Sequence, residues 1–436
     1  MTPSIRAVAA RTLLAVHSGR ATLAAELDRA RREFADDRDR GLLMELCAGT
    51  LRWRGALDAM LTRVATRPLG EVHETVLTVL RIGAYELTHL TRVPAHAAIN
   101  EAVEAARTLR QARAAGFVNA VLRNLQRAGA NTGLPARPAD DDHEQWLAYL
   151  TTTLSHPRWL AARYLARVGP AGAEAWCRYN NTVPGATVRV RASTAAADVP
   201  HVADALAAAG ATPSARVAGA WRLPPGASAG LPDEITRELS VQDEGSQLVA
   251  ARVAADAGQR VLDVCAAPGG KSAWLARAVG RQGLVVSCDT RPARLTVLTE
   301  TLRREGVTPR VVRIDAAMPL PFGAGFDRVL LDAPCSGLGT IARDPDVKWN
   351  RDEASLARFA ATQRAMIAHA ARAVAPGGRL IYATCSSEPE ENTAVVDDFL
   401  AVHPEFARMD ADLETRPDRD GLDAFFAAVL VHRERA

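Results

Sequence analysis

Two cysteines stand in polar turns directly after apolar runs. Asp332-Ala333-Pro334-Cys335-Ser336-Gly337 follows Arg328-Val329-Leu330-Leu331, and Ala383-Thr384-Cys385-Ser386-Ser387 follows Arg379-Leu380-Ile381-Tyr382. A structural cysteine packs inside a strand or helix as a small hydrophobe, whereas these fall where the chain leaves a predicted sheet, the edge at which open α/β sheets bind ligands. A thiolate so placed is a candidate nucleophile. A third stretch joins them: Val261-Leu262-Asp263-Val264 breaks into Cys265-Ala266-Ala267-Pro268-Gly269-Gly270-Lys271 and reopens as a helix at Ser272-Ala273-Trp274-Leu275. Small residues and paired glycines let the backbone approach a ligand at a helix N-terminus, so a nucleotide-like cofactor is expected. Neither the three-glycine dinucleotide fingerprint nor a phosphate-binding loop is present. Support comes from Leu284-Val285-Val286-Ser287-Cys288, which ends in Asp289, about twenty residues on, where a carboxylate can take ribose hydroxyls.

The elements that position these residues follow from periodicity. Strands are predicted at 260–264, 284–288, 310–314, 327–332 and 379–383, with helices at 272–279, 291–305, 352–374 and 390–401. That alternation over 241–436 is a doubly wound α/β domain, and Cys265 to Lys271, Asp289, Asp315, Asp332 to Cys335 and Thr384-Cys385-Ser386 all fall at its strand ends. Asp263, an acid inside the first strand, is expected to orient the loop or face a cofactor amine. Residues 1–127 carry helical periodicity throughout and form an all-α domain. A Pro/Gly-bearing linker spans 128–141, and 142–240 mixes helices with short strands as a small α+β module. Arg178, Arg189 and Arg191 in that module fit either phosphate contacts or an exposed sheet face.

The strings Cys265-Ala266-Ala267-Pro268-Gly269-Gly270-Lys271, Asp332-Ala333-Pro334-Cys335-Ser336-Gly337, Pro345-Asp346-Val347-Lys348-Trp349, and Thr384-Cys385-Ser386 followed by Glu390-Glu391-Asn392 resemble the Sun (Fmu) branch of the RNA cytosine-5 methyltransferases. In the head, Arg81-Ile82-Gly83-Ala84-Tyr85-Glu86-Leu87, Arg92 to Val103, and Phe117-Val118-Asn119-Ala120-Val121-Leu122-Arg123 resemble the helical RNA-binding domain of the antitermination factor NusB. The resemblance implies a Rossmann-like class I methyltransferase domain, S-adenosylmethionine as cofactor, and a cytosine of small-subunit ribosomal RNA as substrate. It implies that Cys385 attacks cytosine C6, that Cys335 assists release, and that Asp332 binds the base edge. It also implies that the backbone of Cys265, Ala266, Ala267, Pro268, Gly269, Gly270 and Lys271 cradles the cofactor, with Asp289 on the ribose and Asp315 at the adenine. This suits the chemistry, because cytosine C5 becomes nucleophilic only after a thiolate adds at C6. One departure is Ala424 in Gly421-Leu422-Asp423-Ala424-Phe425-Phe426, where the family has glycine; a positive φ there would be costly.

Composition narrows the partners. Of the 53 basic residues only Lys271 and Lys348 are lysines, and both fall in those strings, so a compact ammonium is expected at the site in each case. Residues 1–127 hold 19 Arg against 13 acidic residues, which points to a polyanion held partly by the head. Cys47, Cys177, Cys265, Cys288, Cys335 and Cys385 are scattered singly, so neither a disulfide framework nor a metal site is encoded. No leader or membrane-spanning run is evident, and a cytoplasmic, monomeric enzyme is expected. Two alternatives stay open at this point: a methyltransferase acting on transfer RNA or DNA, and a non-catalytic RNA-binding ribosome assembly factor.

Overall fold

In the computed structural model, residues 4–140, 142–191, 194 and 197–433 are described; position 141, at the end of the expected linker, lies outside them. The chain divides into two units: everything up to Thr182 together with Ile341–Asp352, and Val183–Thr340 together with Glu353–Ala436.

The first unit is helical. Helices Ile5–His17, Leu23–Ala30, Asp37–Arg52, Arg54–Val64, Glu74–His89, Ala95–Thr108 and Ala115–Ala128 surround one apolar core containing Val8, Leu43, Leu46, Leu80, Ile99 and Leu122. Ser4, Thr22 and Asp36 cap three of them by accepting backbone N–H bonds, as short polar side chains do at helix starts. Glycine is required at Gly49, where a Cβ would stand 2.0 Å from the Tyr85 ring. Helices His143–Ala148 and Arg158–Asn180 belong to this unit rather than to the strands that follow them, and Gly55 N donates to Ser155 Oγ at 2.7 Å. The second of these helices runs through a break at Gly169-Pro170, where the Gly169 φ is +69°.

The second unit carries two sheets. Strands β1 (Thr187–Val190), β2 (Thr212–Pro213), β3 (Ala220–Arg222) and β4 (Leu239–Val241) pair antiparallel in the order β2-β3-β1-β4, over a core of Val188, Leu206, Leu223 and Leu239. Strands β5 (Arg260–Asp263), β6 (Leu284–Asp289), β7 (Arg310–Arg313), β8 (Phe326–Asp332), β9 (Val374–Thr384), β10 (Phe406–Arg408), β11 (Leu413–Glu414) and β12 (Phe426–His432) make the large sheet, ordered β10-β12-β9-β8-β5-β6-β7 with β11 beside β12. From β7 to β9 the pairing is parallel, which is the expected doubly wound arrangement. Strand β12 lies antiparallel beside β9, pairing Phe426 with Thr384 one residue before Cys385. The strand order reverses between β5 and β8, and ligands bind at such a switch point.

Candidate active site

The loop after β5 and the ends of β6, β7, β8 and β9 enclose a cavity of about 480 Å³ lined by Cys265, Ala267, Asp289, Arg294, Asp315, Asp332, Cys335 and Cys385. A second, of about 550 Å³, shares Cys265, Ala267 and Asp332 with it and is lined further by Arg191, Gln242, Asp263, Lys271 and Arg304. Between them lies the pair Lys271 Nζ to Asp332 Oδ2, at 2.8 Å. Burial alone pulls the Lys271 ammonium down, but Asp332 more than offsets it, so its pKa is raised and the charge is kept. Asp263 is fully buried; Ser272 Oγ donates to its Oδ2 at 2.6 Å, while its Oδ1 has no hydrogen-bond partner among the described residues. Burial pushes its pKa up to about 7.

The two turns after β8 and β9 bring the thiols together, with Cys335 Sγ 3.2 Å from Cys385 Sγ. The hydrogen bond with Cys385, then burial, then nearby negative charge including Glu391 hold the Cys335 pKa well above the ordinary thiol range. Either sulfur can be the donor in this contact. Beneath the thiols sits Glu391, wholly buried, accepting from Ser336 N at 2.8 Å, from the hydroxyls of Ser336 and Ser386, and from Gln363 Nε2 at 3.0 Å.

The structure thus brings Lys271, Asp332, Cys335, Cys385 and the loop Cys265 to Gly270 to one trough. Asp289 lines it too, but its carboxylate already accepts from Ala267 N at 3.2 Å, Thr290 N at 2.8 Å and Arg294 Nε at 3.0 Å. Asp315, at the end of the same trough, caps Ala317 N at 3.0 Å. Lys348 is corrected: it lines neither cavity. It is buried in the first unit, its Nζ donating to Arg52 O at 2.8 Å and Asn181 Oδ1 at 3.1 Å, and burial pulls its pKa well below the usual lysine range. The compact amine serves there as a hydrogen-bond donor to the carbonyl end of helix Asp37–Arg52, whose last residues have no intrahelical partner for their C=O groups. The arginines considered for phosphate are engaged internally: Arg178 pairs with Glu174 at 2.8 Å, Arg189 lies 3.8 Å over the Trp274 ring, and Arg191 is 3.5 Å from Glu305. Ala424 has no positive φ; the glycine is needed opposite it, at Gly339, where a Cβ would stand 2.0 Å from Ala424 O. Sequence reading missed Glu391 and Gln363 as site residues, although Glu391 lies in a quoted string.

A parallel sheet reversing at β5 and β8, with a small-residue loop at the reversal and acids on the next strand ends, defines a Rossmann-like methyltransferase. Comparison with known proteins carries this further. Residues 250–431 match the family described as 16S rRNA methyltransferase RsmB/F, and residues 3–127 match the NusB family. The chain is 36% identical over 441 residues to the Ribosomal RNA small subunit methyltransferase B of Pseudomonas putida, covering 98% of each. It is 36% identical over 387 residues to the Probable ribosomal RNA small subunit methyltransferase B of Bacillus subtilis, covering 87% of this chain and 84% of the relative. The chain belongs to the RsmB/F family of 16S ribosomal RNA methyltransferases, and its reaction is S-adenosylmethionine-dependent methylation of cytosine C5. In fold it matches the crystal structure of PH0851 over the full length of both chains (TM-score 0.77, 24% identity). It also matches NSun6 from Pyrococcus horikoshii with SFG, over 64% of this chain and 99% of that one (TM-score 0.54, 19% identity).

The residues present fit S-adenosylmethionine, because the unpartnered Asp263 Oδ1 offers a buried acceptor to a cofactor ammonium. When bound, the cofactor supplies an electrophilic methyl group.

Proposed function

We propose that Cys385 is the thiolate that adds to cytosine C6 and that Cys335 is the thiol that stabilises it before attack and on release. The observation that carries this is the 3.2 Å approach of the two sulfurs at the cavity, with Cys335 holding its proton. The Cys385 electron pair forms the S–C6 bond and leaves C5 enamine-like. Lys271 and Asp332 hold the polar edge of the base and stabilise the charge that develops on the ring as the sulfur adds. After methylation solvent reaching the open trough takes the C5 proton, the C5–H pair re-forms the C5–C6 double bond, and the S–C6 pair returns to Cys385 as a thiolate to which the Cys335 S–H donates. Asp289 and Asp315 would hold the nucleoside end of the cofactor, the backbone of Cys265 to Lys271 would supply its cradle, and Asp263 would accept from its amine.

The opposite assignment, with Cys335 attacking, is disfavoured because the hydrogen bond with Cys385 and burial hold that thiol's pKa up. The helical head, with its excess of arginine, holds the ribosomal RNA, and one chain supplies every residue named here, so a monomer suffices. Ribosome assembly in bacteria places the enzyme in the cytoplasm. Bisulfite sequencing of 16S RNA from a deletion strain tests the reading. One cytosine should lose its methyl group, regain it with the wild-type chain, and not regain it with Cys385→Ala. A 16S methylation pattern unchanged by the deletion would overturn it.

A further inference from the structure

The two thiols come from turns 50 residues apart in sequence; Ser336 Oγ lies 3.2 Å from Ser386 Oγ, the backbone joins the turns from Gly339 N to Cys385 O at 3.0 Å, and one carboxylate bonds to both. Glu391 Oε1 accepts from the backbone N of Ser336, next to Cys335, at 2.8 Å. Its Oε2 accepts from the Ser336 hydroxyl and from the Ser386 hydroxyl, next to Cys385. Gln363, on helix Glu353–Ala371, donates to Glu391 Oε1 at 3.0 Å and to Pro334 O at 3.0 Å, so it closes the first turn from the other side. The main chain of Glu391 is itself fixed, since the Tyr382 hydroxyl donates to its carbonyl. The next residue, Asn392, accepts from Thr384 Oγ1 and donates to Ser386 O at 2.9 Å.

A carboxylate with no exposed surface is costly unless donors surround it, and here the donors come from both cysteine turns. Among the described residues four donors reach it, and none is a cation. An ion-pair role is therefore not what Glu391 serves, and an apolar residue would fill the space more cheaply if packing alone were required.

We propose that Glu391 is a positioning residue that clamps the two cysteine turns and thereby fixes the distance between the thiols. The proposal rests on the reading that both thiols act in the reaction. Its physical content is that, with the bonds from Ala333 N to Ala383 O and Gly339 N to Cys385 O left in place, loss of the clamp lets the cysteine side of each turn shift, and a misplacement of about 1 Å at a reacting group costs on the order of 100-fold in rate. Substrate and cofactor binding depend on other residues and are not affected.

The test uses the full-length enzyme with Glu391→Gln and, as a second variant that leaves the carboxylate in place, the double change Ser336→Ala with Ser386→Ala. Two quantities are read on each. The first is kcat and KM on a 16S RNA fragment with S-adenosylmethionine. The second is the rate at which diamide oxidises Cys335 and Cys385 to a disulfide, measured by mass spectrometry, which reports thiol separation whatever each thiol does. The clamp predicts kcat lower by about 10-fold to 100-fold, KM for the cofactor within about twofold of wild type, and disulfide formation slowed about tenfold or more. Wild-type values for both quantities, or a loss of kcat with unchanged disulfide formation, overturn the clamp. Slower disulfide formation with unchanged kcat overturns the two-thiol reading, and the clamp's part in the reaction with it. Should Glu391→Gln fail to fold, the serine pair carries the test, since each change removes only a hydroxyl.

Discussion

Replacing Cys335 by alanine removes the one hydrogen bond given to the Cys385 sulfur by its neighbour, at 3.2 Å. A hydrogen bond to a charged group contributes about 1.5–3 kcal/mol, and it stabilises the free thiolate without stabilising the S–C6 bond. Its loss shifts the balance toward the covalent adduct and slows elimination by roughly 10-fold to 100-fold, on the usual conversion of about 1.4 kcal/mol per factor of ten. Labelled 16S RNA fragment, S-adenosylmethionine and the Cys335→Ala enzyme, sampled over time on denaturing gels, should give a retarded protein–RNA band whose RNA already carries the methyl group. The same RNA with wild-type enzyme should show free, methylated product. Normal turnover by Cys335→Ala with no accumulating band would refute the reasoning.

Three further outcomes are expected. Lys271→Arg should lower kcat/KM on the order of 10-fold to 100-fold although the charge is kept, because the guanidinium cannot reproduce a point contact to Asp332 in a half-closed trough; steady-state kinetics at the wild-type level would contradict this. Lys348→Arg should instead lower unfolding stability by about 1–3 kcal/mol, through overpacking of a fully buried site, with kcat of the folded enzyme unchanged. A stable but inactive Lys348→Arg enzyme would return that lysine to the site. Asp263, whose folded pKa is raised to about 7 from 3.8, binds its proton more tightly when folded, so it costs stability progressively as pH rises from about 4 to about 7 and no further above that. Asp263→Asn should flatten the fall in Tm over that window by the equivalent of about 4 kcal/mol. A wild-type minus variant difference independent of pH would show that the acid is not buried as described.

Much of the site was legible because its residues sit at strand ends, and strand ends follow from short apolar runs. Cys335, Cys385, Asp332 and Lys271 were placed that way, and the parallel strands β5 to β9 fell close to their predicted positions. Strand β12 was not foreseen. Its run Phe426-Ala427-Ala428-Val429-Leu430 is as compatible with a buried helix as with a strand, and only its pairing with β9 decides the matter. Lys348 misled for a related reason. Its isolation in an arginine-rich chain signals the need for a compact ammonium, but the need arises at Arg52 O and Asn181 Oδ1, partners 296 and 167 residues away in sequence. Glu391 was hidden because an acid inside Pro389-Glu390-Glu391 looks like surface charge, and nothing local indicates that four donors converge on it. That residues 142–182 group with the helical unit was not legible, because a linker composition at 128–141 does not tell which core the next helices enter.

In the proposed mechanism Cys385, supported by the Cys335 thiol, forms the bond to RNA. The most direct measurement is to trap the Cys335→Ala enzyme on 16S RNA fragment, digest both partners, and sequence the nucleotide-bearing peptide by mass spectrometry. The account predicts the cytosine on the peptide containing Thr384-Cys385-Ser386 and no adduct from Cys385→Ala. An adduct formed by Cys385→Ala and mapped to Cys335 would contradict it and reverse the two roles.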